Sequence, residues 1–426
     1  MNKPSPSTES FCRFCSTKLV HEVVELGMSP LCQKHIRPDQ TNDMEKFYPL
    51  HAYVCDSCWL VQLQEFATPD EIFAEEYAYF SSYSNSWLKH AQDYVAMMRE
   101  RFGINNDNLV VEIASNDGYL LQWFVNDNIP VLGVEPAQNV AKVAREKGIR
   151  TESVFFGQDS ARKLIDTYGK ADLLLGNNVL AHVPDINDFV IGMKTMLAEK
   201  GVITMEFPHL QKLIELNQFD TIYHEHFSYL SFVAVNRIFK HHGITLFDVQ
   251  ELTSHGGSLR IFGKHSEDDT KPVAEAVSKL IDREVSLGME TVGYYSAFEE
   301  KVKETKRALL DFLINAKREG KTVVGYGAPG KGNTLLNYCG IRSDFLDYTV
   351  DLSPHKQGNF LPGTHIPIYH PDKIRETKPD YVLILPWNLK KEISQQMRFI
   401  SDWGGRFVIP IPKVRVLDDQ KNLTVD

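Results

Sequence analysis

Between residues 109 and 265, short apolar runs alternate with amphipathic stretches. LVVEIA (109–114), IPVLGVEP (129–136), ADLLLGNN (171–178) and GVITMEFP (201–208) are compact and mainly apolar. This is the pattern of strands covered on both faces. YLLQWFVNDN and QNVAKVAREKG, which lie between them, space their apolar residues three and four apart, as one helix face requires. Strands alternating with helices predict a mainly parallel, doubly wound sheet. ITLFDVQEL (244–252) and SLRIFGKH (258–265), joined by TSHGG, predict an antiparallel hairpin at the end of that sheet. Upstream, the polar stretch 70–103 is predicted helical, with Gly103 as its C-cap. FCRFCSTKL and YVCDSCWLVQL, nearer the start, predict two strand–knuckle–strand units. Downstream, residues from about 270 to 319 are charged, with Val273, Ala276, Val277, Leu280 and Ile281 at helical spacing. A second α/β unit follows in KTVVGYGAPGKGNT, DYTVDLSP and YVLILPWN. The expected domains are 1–68, 69–285 and 286–426.

Composition narrows the possibilities. A chain of 426 residues, 43% apolar, can build two or three cores. With 46 Lys+Arg against 56 Asp+Glu, the net charge of −10 removes the general attraction to phosphate backbones that nucleic-acid binders use. No apolar run approaches the roughly 18 residues of a membrane span, and MNKPSPSTES lacks the apolar stretch of a secretory signal. The expectation is a soluble, cytoplasmic protein that binds neither nucleic acid nor membrane. Four of the six cysteines form two CxxC pairs, Cys12/Cys15 and Cys55/Cys58. Two such knuckles supply the four thiolates of a closed, structural zinc site. The 39 residues between the pairs must loop out and return. Cys32 and Cys339 stand alone and read as small buried apolar residues.

The first strand–loop–helix, VVEIASNDGYLL, carries Glu112 near the strand end and a small-residue turn from Ala114 to Gly118. Its backbone N–H groups would face a ligand at the first crossover of the sheet. Some 20 residues on, Glu135 can accept from both hydroxyls of a ribose. Asn177, Asn178 and His182 follow the next strand along the same edge. This fits an S-adenosylmethionine (SAM) methyltransferase or an unusual dehydrogenase; the missing GxGxxG favours SAM. Beyond the fifth strand, Tyr223, His224, Glu225 and His226 fall within four residues. Groups so dense are costly to bury unless paired or at work, and the i, i+2 spacing of the histidines does not suit a helix-borne metal pair. Acid–base catalysis is the expectation. YAYFSSYSNSW (77–87) offers Tyr77, Tyr79 and Ser82 to a sugar or adenine, or forms a packed aromatic face. GYGAPGKGNT resembles a phosphate-cradling loop, with Gly327, Lys331 and Asn333 in it and Asp351 ending the next strand.

Taken in order, CxxC…CxxC, VVEIASNDG, GNNVLAHV, YHEHFSYLS, HGGSLRIF and GYGAPGKGNT make the chain resemble, nearly end to end, the SAM-dependent sugar C-methyltransferases of deoxysugar biosynthesis. The resemblance implies an α/β protein of three parts. These are a zinc-binding N-terminal module, a class I (Rossmann-like) SAM methyltransferase domain, and a second Rossmann-like domain that shares the nucleotide sugar. It implies His226 as catalytic base, with Tyr223, Glu225 and His182 assisting at the sugar. It also implies that Ser115, Asn116, Gly118, Glu135 and Asn177 contact SAM. The implied substrate is a nucleotide-linked 4-keto-6-deoxy sugar, usually on dTDP, methylated next to the ketone, with C-3 ahead of C-5. A monomer is expected. Three rivals remain open at this point. They are a dehydrogenase using the later glycine loop, a zinc-ribbon nucleic-acid methyltransferase, and a non-catalytic binding module.

Overall fold

The computed structural model describes residues 10–68, 71 and 80–417. Its centre is a seven-stranded sheet of order β10-β11-β8-β7-β4-β5-β6. Its strands are β4 (Val110–Ile113), β5 (Val131–Val134), β6 (Thr151–Glu152), β7 (Ala171–Asn177), β8 (Leu197–Pro208), β10 (Ile244–Leu252) and β11 (Ser258–His265). From β6 to β8 neighbouring strands are parallel, whereas β11 runs antiparallel to both β8 and β10. The continuous apolar runs are covered as their pattern demands: Val110, Val111, Leu173, Leu174 and Leu175 have no exposed surface. The chain order reverses at β4, and the carboxyl ends there open a crevice.

Of the helix predicted over 70–103, the described residues 80–84 are not α-helical. The helix α1 spans Asn85–Phe102, preceded by a 3₁₀ turn at Ser81–Tyr83. Ser84 begins α1 because its hydroxyl accepts the Trp87 N–H, and Gly103 ends it at φ 67°, where a side chain would be strained.

A four-stranded antiparallel sheet lies to one side, ordered β1 (His21–Ser29), β2 (Tyr48–Val54), β3 (Val61–Leu63) and β9 (Ser228–Tyr229). The sequence pattern did not announce β9. It comes from the YHEHFSY segment and pairs Val61 with Tyr229 and Gln62 with Ser228. The third sheet is ordered β14-β13-β12-β15-β16-β17. It holds the expected β12 (Val323–Tyr326), β13 (Thr349–Val350) and β15 (Tyr381–Ile384). Three short edge strands complete it: β14 (Ile368–Tyr369), β16 (Arg406–Ile409) and β17 (Arg415–Leu417).

The cores do not follow the sheets one to one. Val24, Leu50 and Val54 of the small sheet pack in one apolar cluster with Val302, Leu309, Val323 and Leu335. The Cys55–Leu60 side of the same sheet packs against Phe232 and Val235, inside the core of the central sheet. The small sheet is therefore wedged between the two α/β units. No helix among the described residues is long and apolar enough to cross a membrane.

Candidate active site

At the crevice of the central sheet, the Ala114–Gly118 turn winds tightly: Ala114, Asn116 and Gly118 all have positive φ (56°, 50° and 77°). At Gly118 a Cβ would collide with Ile149 Cδ1, so the backbone lies close to its neighbour and presents no side chain of its own. The Asn116 N–H donates to Glu135 Oε2 (3.0 Å) and the Ala137 N–H to Oε1 (2.8 Å). Burial lifts the Glu135 carboxyl to about 7, which those two donors oppose. Glu112 is fully buried beside the Tyr119 hydroxyl, and burial pushes its carboxyl well above the usual range, which that hydroxyl opposes. Asn177 Nδ2 donates to the Tyr119 hydroxyl (3.1 Å), and Asn178 keeps a buried, unpartnered Oδ1. The Asn178 amide oxygen and the Glu135 carboxyl suit a cofactor carrying ammonium and ribose hydroxyl donors, as SAM does. Ser115 differs: its buried hydroxyl faces Gly133 and Thr151, so toward the crevice it offers backbone.

The aromatic segment splits. Tyr77 and Tyr79 lie outside the described residues. Ser82 accepts from Lys147 Nζ (3.0 Å), which also binds Asp117, so Ser82 flanks the cofactor turn. Next to it, the Ser81 N–H donates to Asn116 Oδ1 (2.8 Å).

The residues 218–226 form a knot of turns past the carboxyl edge. His226 Nδ1 bonds the Thr221 carbonyl at 2.8 Å. A carbonyl only accepts, so the proton sits on Nδ1 and the lone pair on Nε2. The Tyr223 ring lies 4.0 Å from the His226 ring, and His182 meets it edge-on at 4.6 Å. Burial, reinforced by His182, holds the His226 imidazole well below its usual range, and burial brings His182 to about 4. Both rings are neutral at physiological pH. His224 turns the other way, its Nε2–H donating to the Pro49 carbonyl of β2 (3.1 Å).

The glycine loop of the third sheet reaches this same place. The helix α2 (Gly330–Cys339) begins so close that a Cβ on Gly330 would lie 2.9 Å from Cys32 Sγ and 3.5 Å from Tyr223 Cζ. Thr334 Oγ1 donates to the Ile222 carbonyl (3.1 Å). Lys331 donates to Asn388 Oδ1 (2.9 Å) and lies over the Trp387 ring (4.9 Å). Asn333 is 1% exposed with both amide atoms unpartnered. Asp351 is committed to the loop, accepting from the Ala328 N–H (2.7 Å) and the Ser353 N–H (2.9 Å). Gly327 at φ 91° passes against Pro386. Thus Gly327 and Asp351 shape the loop, while Lys331 and Asn333 have side chains for a ligand.

Cys12, Cys15, Cys55 and Cys58 put all four sulfurs within 4.8 Å of one another. Tetrahedral zinc at its usual 2.3 Å bond length needs sulfurs about 3.8 Å apart, and Cys12–Cys58 and Cys15–Cys55 stand at 3.5 Å. The knuckles are twins: Ser16 N–H bonds Cys12 O and Trp59 N–H bonds Cys55 O, each at 2.9 Å, with Ser16 and Trp59 at positive φ.

Several residues of the site carried no separate signal in the sequence. The Cys32 thiol, read as simple filler, donates to Glu225 Oε1 (3.4 Å). Trp387 Nε1 donates to Asp220 Oδ2 (2.7 Å), and burial raises that carboxyl to about 6. Trp387 lies in the YVLILPWN strand segment, but nothing in spacing pairs positions 167 residues apart.

Residues 12–73 match a family described as a zinc binding domain, 87–249 a methyltransferase domain, and 253–412 a C-methyltransferase C-terminal domain. The chain is 35% identical over 412 residues to C-methyltransferase NovU of Streptomyces niveus, covering 97% of this chain and 98% of that one. Two solved structures are similar to part of the chain. Magnesium protoporphyrin IX methyltransferase from Synechocystis PCC 6803 has a TM-score of 0.32 at 14% identity, covering 42% of this chain and 79% of that one. An S-adenosylmethionine-dependent methyltransferase from Clostridium acetobutylicum gives 0.33 at 12%, covering 42% and 92%.

Proposed function

Because the chain belongs to the family of SAM-dependent C-methyltransferases, we propose that it methylates C-3 of a nucleotide-linked 4-keto-6-deoxy sugar, with dTDP as carrier and His226 as base. The observation that carries this reading is the His226 tautomer: a neutral ring fixed by Thr221, with its Nε2 lone pair free of that bond. A sugar C–H is too weak an acid for imidazole, but a C-4 ketone acidifies the hydrogens on its neighbours. Nε2 takes the C-3 proton, and the C–H electron pair passes onto the ketone oxygen as an enolate. Bound SAM supplies an electrophilic methyl group to that carbon. Tyr223, tilted against the His226 ring, and Glu225, held by Cys32, keep the ring and the sugar in line. Lys331 and Asn333 at the start of α2 are placed for the diphosphate and the nucleoside.

The test is deuterium uptake from solvent into dTDP-, GDP- and CDP-linked 4-keto-6-deoxyglucose, followed by NMR with and without SAM. Exchange at C-3 of the dTDP sugar, replaced by a C–CH₃ signal when SAM is added, is the expected result. Exchange confined to C-5 overturns the position, and preference for another nucleotide overturns the carrier. No exchange on any of them overturns the keto-sugar substrate.

A further inference from the structure

The HGG turn between β10 and β11 has no part in the chemistry just described, yet it is tightly constrained. His255 adopts left-handed backbone (φ 54°, ψ 18°), and Gly256 and Gly257 follow at φ 91° and 119°. The turn is tied on every side. Ser254 Oγ donates to Glu206 Oε1 (2.7 Å), Gln218 Nε2 to the Gly256 carbonyl (2.7 Å), and the His209 N–H to the Gly257 carbonyl (3.0 Å). Glu206 is itself fixed by Arg260 (2.7 Å) and His90 (2.8 Å). Backbone strain held by so many ties marks a side chain that must stand in one place.

That side chain stands at the cofactor edge. Asn178 Nδ2 bonds His255 Nε2 at 3.0 Å. An amide nitrogen donates, so Nε2 accepts and the proton is on Nδ1. Among the described residues Nδ1 makes no hydrogen bond, and the ring is only partly exposed. Trp87 meets the ring edge-on at 5.1 Å, and Trp387 packs against Gly256. Burial and the nearby Lys331 ammonium bring the imidazole to about 4, so it is a neutral donor. The turn is also joined to the segment that carries His226, because Gln218, at the head of residues 218–226, donates to Gly256.

We propose that His255 is a second catalytic imidazole of this cleft, its Nδ1–H donating to the ketone oxygen of the sugar as that oxygen becomes an enolate. The assignment rests on the keto-sugar reading. His255 sits beside Asn178 at the cofactor edge, where the reacting carbon must meet the methyl group, whereas the diphosphate is drawn to Lys331. His255 transfers no proton. The C-3 proton goes to His226, the electron pair moves to the ketone oxygen, and it returns when the C–C bond forms and the S–CH₃ bond breaks. A neutral, fixed donor gains most from charge that appears only during reaction.

His255→Gly and His255→Asn both accept left-handed backbone, so the turn survives in either. In His255→Gly, exchange without SAM and kcat with SAM should fall together, by about 10²- to 10³-fold. KM for the keto-sugar and Kd for SAM should stay within about threefold of the wild type. His255→Asn, which keeps an amide donor, should recover part of the rate. Wild-type exchange in His255→Gly, or a loss confined to KM, overturns the role of His255 alone. Absence of exchange in the wild-type enzyme overturns the keto-sugar reaction and this role with it.

Discussion

Replacing His226 by Asn separates the two nitrogens of the ring. The Asn amide can still donate to the Thr221 carbonyl, as Nδ1–H does at 2.8 Å, while Nε2 disappears. The loop keeps its internal bond and the base is gone. A positioned general base is worth about 10²- to 10⁴-fold, or about 2.7–5.4 kcal/mol at 1.36 kcal/mol per decade. The neighbours argue for the upper half of that range, because each is already occupied. His182 is neutral with its ring against His226, Glu225 accepts from Cys32, and His224 is bonded to Pro49. Exchange at C-3 should therefore fall by at least about 10³-fold while SAM affinity, measured by calorimetry, is unchanged. The pH profile supplies a second check. Burial lowers the His226 pKa, and a base must be unprotonated, so kcat/KM of the wild type should lose its His226 limb only well below the usual 6.5. A variant keeping more than about a tenth of the exchange rate, or a His226 titration near 6.5, would refute the argument.

Gly118→Ala combines left-handed backbone, about 1–2 kcal/mol, with overlap on Ile149, about 1–3 kcal/mol; a lowered urea midpoint and weaker SAM binding are expected, and an unchanged midpoint would show that Ile149 gives way freely. Despite burial, His90 and Arg260 hold Glu206 at about 2, so Glu206→Gln should leave Arg260 unpaired and cost about 3–5 kcal/mol in denaturant unfolding. His182, at about 4 when folded against 6.5 unfolded, resists protonation only in the native state. Its stabilising effect is complete above pH 6.5 and is lost as pH falls toward 4, by up to about 3 kcal/mol, so His182→Asn should flatten the stability–pH curve in that window. Cys55→Ser should lower bound zinc and, through the β3–β9 pairing, turnover, with a smaller effect on SAM affinity; full activity at zero zinc content would contradict this coupling.

Local pattern carried much of this protein. The apolar runs at 110–113, 131–134 and 171–177 became strands because a continuous apolar segment can be satisfied only by cover on both faces. Gly103 ended its helix because it alone tolerates φ 67° cheaply. The paired CxxC knuckles were legible because four thiolates at that spacing have few other uses. The early start of β8 at Leu197 and the edge strands β14, β16 and β17 were not legible, since they depend on what lies beside them.

The site divides the same way. Residues close along the chain, such as Tyr223 to His226 or Gly327 to Asn333, could be singled out as candidates from the sequence itself. What the sequence could not express is convergence between distant segments. Only the tertiary structure seats β9 on the zinc-binding sheet, sets Cys32 against Glu225, and starts α2 beside Tyr223. Only it sets His255 against Asn178 and ties the HGG turn to Gln218 of the His226 segment. The physical reason is that covalent spacing dictates backbone period and local turn chemistry. Which side chains meet depends instead on how three sheets bury one another's apolar faces, and that is a property of the packed chain as a whole.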